Sequence, residues 1–74
     1  MVKPTLVTNR IRALRSAQGE MTQAELAERV GVTRQTLIAI EQSRYSPSLE
    51  VAFKIARVFG VPLDDVFQYP GESQ

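Results

Sequence analysis

Thr22-Gln23-Ala24-Glu25-Leu26-Ala27-Glu28-Arg29-Val30-Gly31-Val32-Thr33-Arg34-Gln35-Thr36-Leu37-Ile38-Ala39-Ile40-Glu41 holds two helix starts and one tight turn. Thr22 followed by Glu25 has the form of a capping box, in which the hydroxyl accepts from a free first-turn amide and the Glu reaches back to the cap amide. Ala24, Leu26, Ala27 and Val30 recur at helical spacing and are predicted to face inward. Gly31 supplies the left-handed conformation that stops the helix. Thr33 opens the next helix, with Leu37 and Ile40 facing inward and Arg34, Gln35, Ile38, Ala39 and Gln42 on the other side. Ala27 by itself is only a good helix former. Set four residues before Gly31, with Val30, Val32, Leu37 and Ile40 at the junction, it is the small contact residue that two closely crossing helices need. The pattern is that of a helix-turn-helix.

Working outward, Thr8 or Asn9 can cap a first helix over about residues 9–18, with Ile11 and Leu14 inward and Gly19 as its stop. Further helices are predicted over about 23–30, 34–42, 49–59 and 63–67. Ser48 caps the fourth, with Glu50 favourably placed in its first turn. Val51, Ala52, Ile55, Ala56, Val58 and Phe59 make that helix apolar over much of its girth, and Gly60 ends it. Pro62 suits entry to the fifth, with Asp64 and Asp65 at its positive end. The expected fold class is all-α: a compact five-helix domain with a helix-turn-helix over residues 8–69, with room for a small terminal β pairing. Residues 1–7 read as an arm or edge strand, since Val2, Thr5, Leu6 and Val7 suit a strand and Pro4 confines it to an edge. Residues 70–74 read as a frayed tail.

The residues Gln23, Leu26, Ala27, Val30, Gly31, Val32, Leu37, Ile40 and Glu41, followed by Pro47-Ser48-Leu49, make the chain resemble the Xre/Cro family of repressor-like helix-turn-helix regulators. The resemblance spans about Asn9 to Tyr69. It is nearest to short stand-alone members, which end in a segment like Val66-Phe67-Gln68-Tyr69. The chain departs from the pattern in two places. Gly19-Glu20-Met21-Thr22 is one residue longer than the usual link between the first two helices, and Ser43 stands where the family often has Gly after the recognition helix. The resemblance implies that an N-terminal strand can pair with the C-terminal segment, that Gln23 clamps a backbone phosphate, and that Arg15 pairs with Glu41.

Composition bounds the chemistry. Seventy-four residues make one small domain. Without Cys or His there is no disulfide, no thiolate site, and neither the commonest general base nor the commonest metal ligand. No metal-spaced cluster or glycine-rich phosphate loop is visible, and the adjacent Asp64 and Asp65 are explained by the helix dipole. The chain reads as a non-enzyme that uses no cofactor and no metal. No targeting or membrane-spanning segment is visible, and a cytoplasmic setting is expected. Net charge is only +1, but residues 1–44 hold seven basic against four acidic side chains, and residues 45–74 hold two against four. The positive half contains the helix-turn-helix, as attraction to a nucleic-acid backbone requires.

The start of the second motif helix is the part that enters a major groove. Arg34 matches the paired acceptors of guanine, and Gln35 can bond adenine in the same bidentate way. Ile38 lies a turn further on and suits either a thymine methyl or the rim beside helix two. Ala39 allows close approach. Thr33 and Thr36 at the helix start suit phosphate, as do Arg44, Tyr45 and Ser46 in the following loop, although Thr33 is also a cap and Tyr45 can pack on the core. Glu41 falls on the inward side, and a buried carboxylate needs a partner.

A domain this small presents one recognition helix, and regulators of this kind bind DNA as two-fold dimers. The C-terminal apolar segment offers the seam: Leu63, Val66, Phe67 and Tyr69. The reading is a double-stranded-DNA-binding regulator, a repressor acting as a homodimer on a palindromic operator. The alternative is a protein-interaction module, such as an antitoxin, built on the same fold.

Overall fold

The computed structural model describes residues 5–70. In chain order they form β1 (Thr8–Asn9), α1 (Ile11–Ala17), α2 (Gln23–Val30), α3 (Arg34–Glu41), α4 (Leu49–Phe59), α5 (Leu63–Val66) and β2 (Phe67–Gln68). The five helices are those the periodicity predicts, with ends moved by one or two residues where the backbone frays or is captured by another element. Of the arm or edge strand expected over residues 1–7, residues 1–4 lie outside the described residues; residues 5–7 are not in a strand, and pairing falls on Thr8 and Asn9. Residues 71–74 of the expected frayed tail also lie outside them.

The two strands pair antiparallel, Thr8 with Gln68 and Asn9 with Phe67. Arg10 N–H continues the ladder to the Val66 carbonyl at 2.9 Å, so both ends of the domain are tied together. This pairing shortens the first helix. Asn9, expected at or before its cap, is strand backbone, while its side chain still serves the helix by accepting from Ile11 N–H at 3.1 Å.

Three helix starts are capped by hydroxyls. Thr22 accepts from Glu25 N–H at 3.0 Å, Thr33 from Thr36 N–H at 3.1 Å and Ser48 from Val51 N–H at 3.2 Å. The box at Thr22 is half made, because the Glu25 carboxylate turns to Arg29 at 3.4 Å. Gly31, at φ +80°, lets the chain double back, with Val32 N–H reaching the Ala27 carbonyl at 3.0 Å. Ser43 occupies the same left-handed region at φ +58°, and Arg44 N–H reaches the Ala39 carbonyl at 2.9 Å. The family's glycine turn is thus made by serine, at some backbone strain.

The core gathers Ile11, Met21, Leu26, Ala27, Val30, Leu37, Ile40, Ile55, Ala56, Phe59 and Val66. α4 contributes Ala52, Ile55, Ala56 and Phe59 to the buried set. Ala24 does not join it: the first turn of α2 lies beyond the packed junction, and Ala24 is exposed. Val66 is fully buried, so it is part of the monomer's own core and is removed from the predicted dimer seam. No described helix is long and apolar enough to cross a membrane.

Candidate nucleic-acid interface

α3 is held from below and open above. Leu37 and Ile40 are buried against the core, while Arg34 and Gln35 in its first turn are exposed. Thr36, Ile38 and Ala39 are half-buried, so they sit at the rim of this face and not at its crest. Thr33 caps the helix and its hydroxyl also donates to that of Thr36 at 2.9 Å, which ties the two hydroxyls together beside the free first-turn amides. Such a helix start attracts an anion through its amides and dipole.

Beside α3 runs an open cleft of about 630 Å³, lined by Arg12, Arg15 and Arg34 together with Glu20, Gln23 and Glu41. Its floor is a network joining three helices. Arg15 Nε donates to Glu41 Oε2 at 2.7 Å and Nη2 to Oε1 at 3.1 Å, a bidentate pair whose side chains are only 14% and 8% exposed. Arg15 Nη1 donates to the Met21 carbonyl at 2.9 Å, which secures the long link after α1. Gln23, the first residue of α2, donates to Glu41 Oε1 at 3.2 Å. Arg34 Nη2 reaches Gln23 Oε1 at 3.5 Å. Every buried polar side-chain atom among the described residues has a partner.

The loop after α3 carries Arg44, Tyr45 and Ser46, all exposed. Ser46 is not idle: its hydroxyl donates to Thr5 Oγ1 at 2.8 Å, and Thr5 N–H reaches the Ser43 carbonyl at 3.3 Å. The residues before β1 thus brace the loop that flanks the recognition helix. On the C-terminal side, Leu63 and Phe67 are half-buried and Tyr69 is 68% exposed. Leu63 and Phe67, but not Tyr69, border an apolar groove of about 300 Å³ that also takes in Val7, Ser46, Pro47, Leu49 and Ala52.

Sequence reasoning missed Thr5 as a brace, Asn9 as a partner of α3, and Leu49 and Phe53 as exposed apolar side chains of α4. Asn9 carries a signal, being a residue that favours caps. Leu49 and Phe53 look like core positions in a helix so rich in apolar residues, and only the packing of neighbours leaves them outside.

A compact helical domain with a capped, exposed recognition helix and a basic cleft beside it defines a class, the helix-turn-helix DNA-binding domain. Comparison with known proteins agrees. The helix-turn-helix family profile matches residues 11–66. An uncharacterized HTH-type transcriptional regulator of Methanocaldococcus jannaschii is 53% identical over 53 residues, 72% of this chain and 80% of that protein. The cryptic phage CTXphi transcriptional repressor RstR of Vibrio cholerae is 34% identical over 61 residues, 82% of this chain and 54% of the repressor. A crystal structure of a Bacteroides fragilis protein superposes with a TM-score of 0.72 at 26% identity, covering 84% of this chain and 98% of that one. The chain belongs to the Xre/Cro-like helix-turn-helix family of transcriptional regulators.

Proposed function

We propose that this chain is a repressor that binds a palindromic operator as a homodimer. The observation that carries the reading is the exposed first turn of α3, with Arg34 and Gln35 at its head, on a helix fixed beneath by the Arg15–Glu41 pair. Arg34 reads a guanine and Gln35 an adenine, with Ile38 and Ala39 lying against the neighbouring base edges. Gln23, Thr33, Thr36, Arg44, Tyr45 and Ser46 follow the phosphate backbone on either side. The repressors among the chain's relatives support the sign of regulation. The dimer seam is Leu63, Phe67 and Tyr69, extended by Leu49 across the apolar groove.

Selection of bound sequences from random duplexes tests this directly. A two-fold symmetric site with half-sites about 34 Å apart is expected. Arg34→Ala should weaken operator binding and relax the preference at one base pair per half-site, by about 1–3 kcal/mol. An asymmetric single half-site, or a preference untouched by Arg34→Ala, overturns the corresponding part of the reading.

A further inference from the structure

β2 is an end strand, and β1 covers one of its two edges. Along an antiparallel ladder, hydrogen-bonded pairs alternate with pairs that exchange no bond. The bond from Arg10 N–H to the Val66 carbonyl, at 2.9 Å, sets that alternation. Thr8 and Gln68 are then the next hydrogen-bonded pair, so the main-chain groups of Gln68 face β1. Those of Phe67 and Tyr69 face the opposite way. The Phe67 N–H is taken by the Leu63 carbonyl at the end of α5. The Phe67 carbonyl and the Tyr69 N–H have no partner among the described residues. Pro70 lacks an N–H, but at its position that group would face β1, so the outer edge loses no donor.

An acceptor at Phe67 and a donor at Tyr69, two residues apart on one open edge, complement themselves. Two such edges laid antiparallel, with Gln68 opposite the partner's Gln68, satisfy both groups at once. Each Tyr69 N–H then donates to the partner's Phe67 carbonyl. We infer that β2 is the contact strand of the homodimer, pairing with a second β2 about a two-fold axis at Gln68 to give one four-stranded sheet, β1–β2–β2–β1. The inference rests on the homodimer proposed above and names its central contact. It also accounts for Tyr69, which is 68% exposed in the single chain. In this register its ring lies directly opposite the partner's Phe67, on the face where Phe67 borders the apolar groove. The open edge runs only from Phe67 to Tyr69, so two main-chain bonds are all that any strand gains there. A second copy adds the Phe67–Tyr69 contact twice, by symmetry, where a foreign strand makes such a contact once at most.

The chain has no cysteine, so a single introduced one reports which residues face each other. Gln68→Cys sets the thiol opposite its own copy, in a pair whose Cα atoms stand about 4.5 Å apart, within the span of a disulfide. Thr8→Cys is the control. Thr8 is paired with Gln68 and shares its sheet face, but would lie about 14 Å from the partner's Thr8, three strand spacings away. Under mild oxidation of the full chain, Gln68→Cys should run as a covalent dimer in denaturing electrophoresis and Thr8→Cys as a monomer. The linked Gln68→Cys dimer should still bind the two-half-site operator. Tyr69→Ala, which keeps both main-chain groups of the edge, should raise the dimer dissociation constant about tenfold or more in sedimentation equilibrium. A native dimer without the Gln68→Cys link, equal linking of Thr8→Cys, a linked dimer that no longer binds operator, or an unchanged constant for Tyr69→Ala overturns the strand pairing and leaves the homodimer standing. A native chain that stays monomeric overturns the homodimer beneath it, so the two failures are separable.

Discussion

The Asn9 side-chain amide donates to the Ile40 carbonyl at 3.0 Å and lies 3.4 Å from that of Glu41. A strand residue at one end of the chain thus adds a second donor to the Ile40 carbonyl, which already accepts from Ser43 N–H at 3.0 Å, and reaches the carbonyl of Glu41 at the end of the same helix. The same side chain accepts from Ile11 N–H, so one amide closes α3 and starts α1. Asn9→Ala should cost about 1–2 kcal/mol in chemical denaturation, the sum of a lost cap and a lost tertiary bond. Asn9→Asp isolates the second contribution. It keeps the acceptor for Ile11 but sets a carboxylate against the negative end of α3, and should be at least as damaging as Asn9→Ala at neutral pH.

Ser43 makes the left-handed turn after α3 at φ +58°. An L-residue in that region is strained by roughly 1–2 kcal/mol relative to its right-handed form, a cost that Gly avoids but partly returns as chain entropy. Ser43→Gly should therefore raise stability by about 0.5–1 kcal/mol and leave operator preference unchanged. Thermal denaturation checks the first and a binding titration the second. A lower melting temperature for Ser43→Gly would show that the serine makes a contact worth more than its strain.

What was legible in the sequence was local. Thr22, Thr33 and Ser48 announce helix starts because a hydroxyl bonds an amide three residues ahead, and Gly31 announces a stop because the backbone angle it needs is its own. What was not legible was the meeting of distant segments. The β1–β2 pairing was expected only from the family resemblance, since it joins two-residue strands from opposite ends of the chain, too short to leave an alternating pattern. The Gln23–Glu41 bond depends on how α2 lies across α3, which no spacing within either helix encodes. Val66 and Leu63 look equally apolar in a row of letters, yet one is sealed in the core and the other borders an open groove.

The Arg15–Glu41 pair is bidentate and nearly buried, at 14% and 8% side-chain exposure. Removing one partner leaves the other charged with little water to replace it. Arg15→Met or Glu41→Met should each cost about 3 kcal/mol, at the lower edge expected for a buried pair because some solvent remains. The double variant should cost clearly less than the sum, which a double-mutant cycle by urea denaturation would measure. Additive losses would show that the two charges act independently of one another.

Arg44 projects from the loop after α3, exposed and adjacent to Ser46, which is braced by Thr5. A phosphate contact has no sequence preference, and its loss reduces counterion release. Arg44→Ala should weaken binding to operator and random duplex alike and lower the slope of log affinity against log salt by about one per subunit. Loss confined to the operator would instead make Arg44 a base reader.

The apolar groove between Pro47, Leu49, Leu63 and Phe67 includes one strongly exposed side chain, Leu49 at 68%, with Phe53 on the same helix half exposed and Tyr69, two residues after Phe67, also 68% exposed. Clustered exposed apolar surface of this kind marks a contact site, whereas single exposed residues mark nothing. A second copy of the chain can seat its own Leu49 and Tyr69 against this groove reciprocally, as a two-fold contact requires. Leu49→Glu and Leu63→Glu each place a charge in that seam without touching the recognition helix. Sedimentation equilibrium at micromolar concentration should find a dimer for the native chain and a monomer for either variant. Each variant should lose affinity for the two-half-site operator far more than for an isolated half-site. A native chain that remains monomeric on free and bound DNA would remove the homodimer from the proposal and leave the groove to a different protein partner.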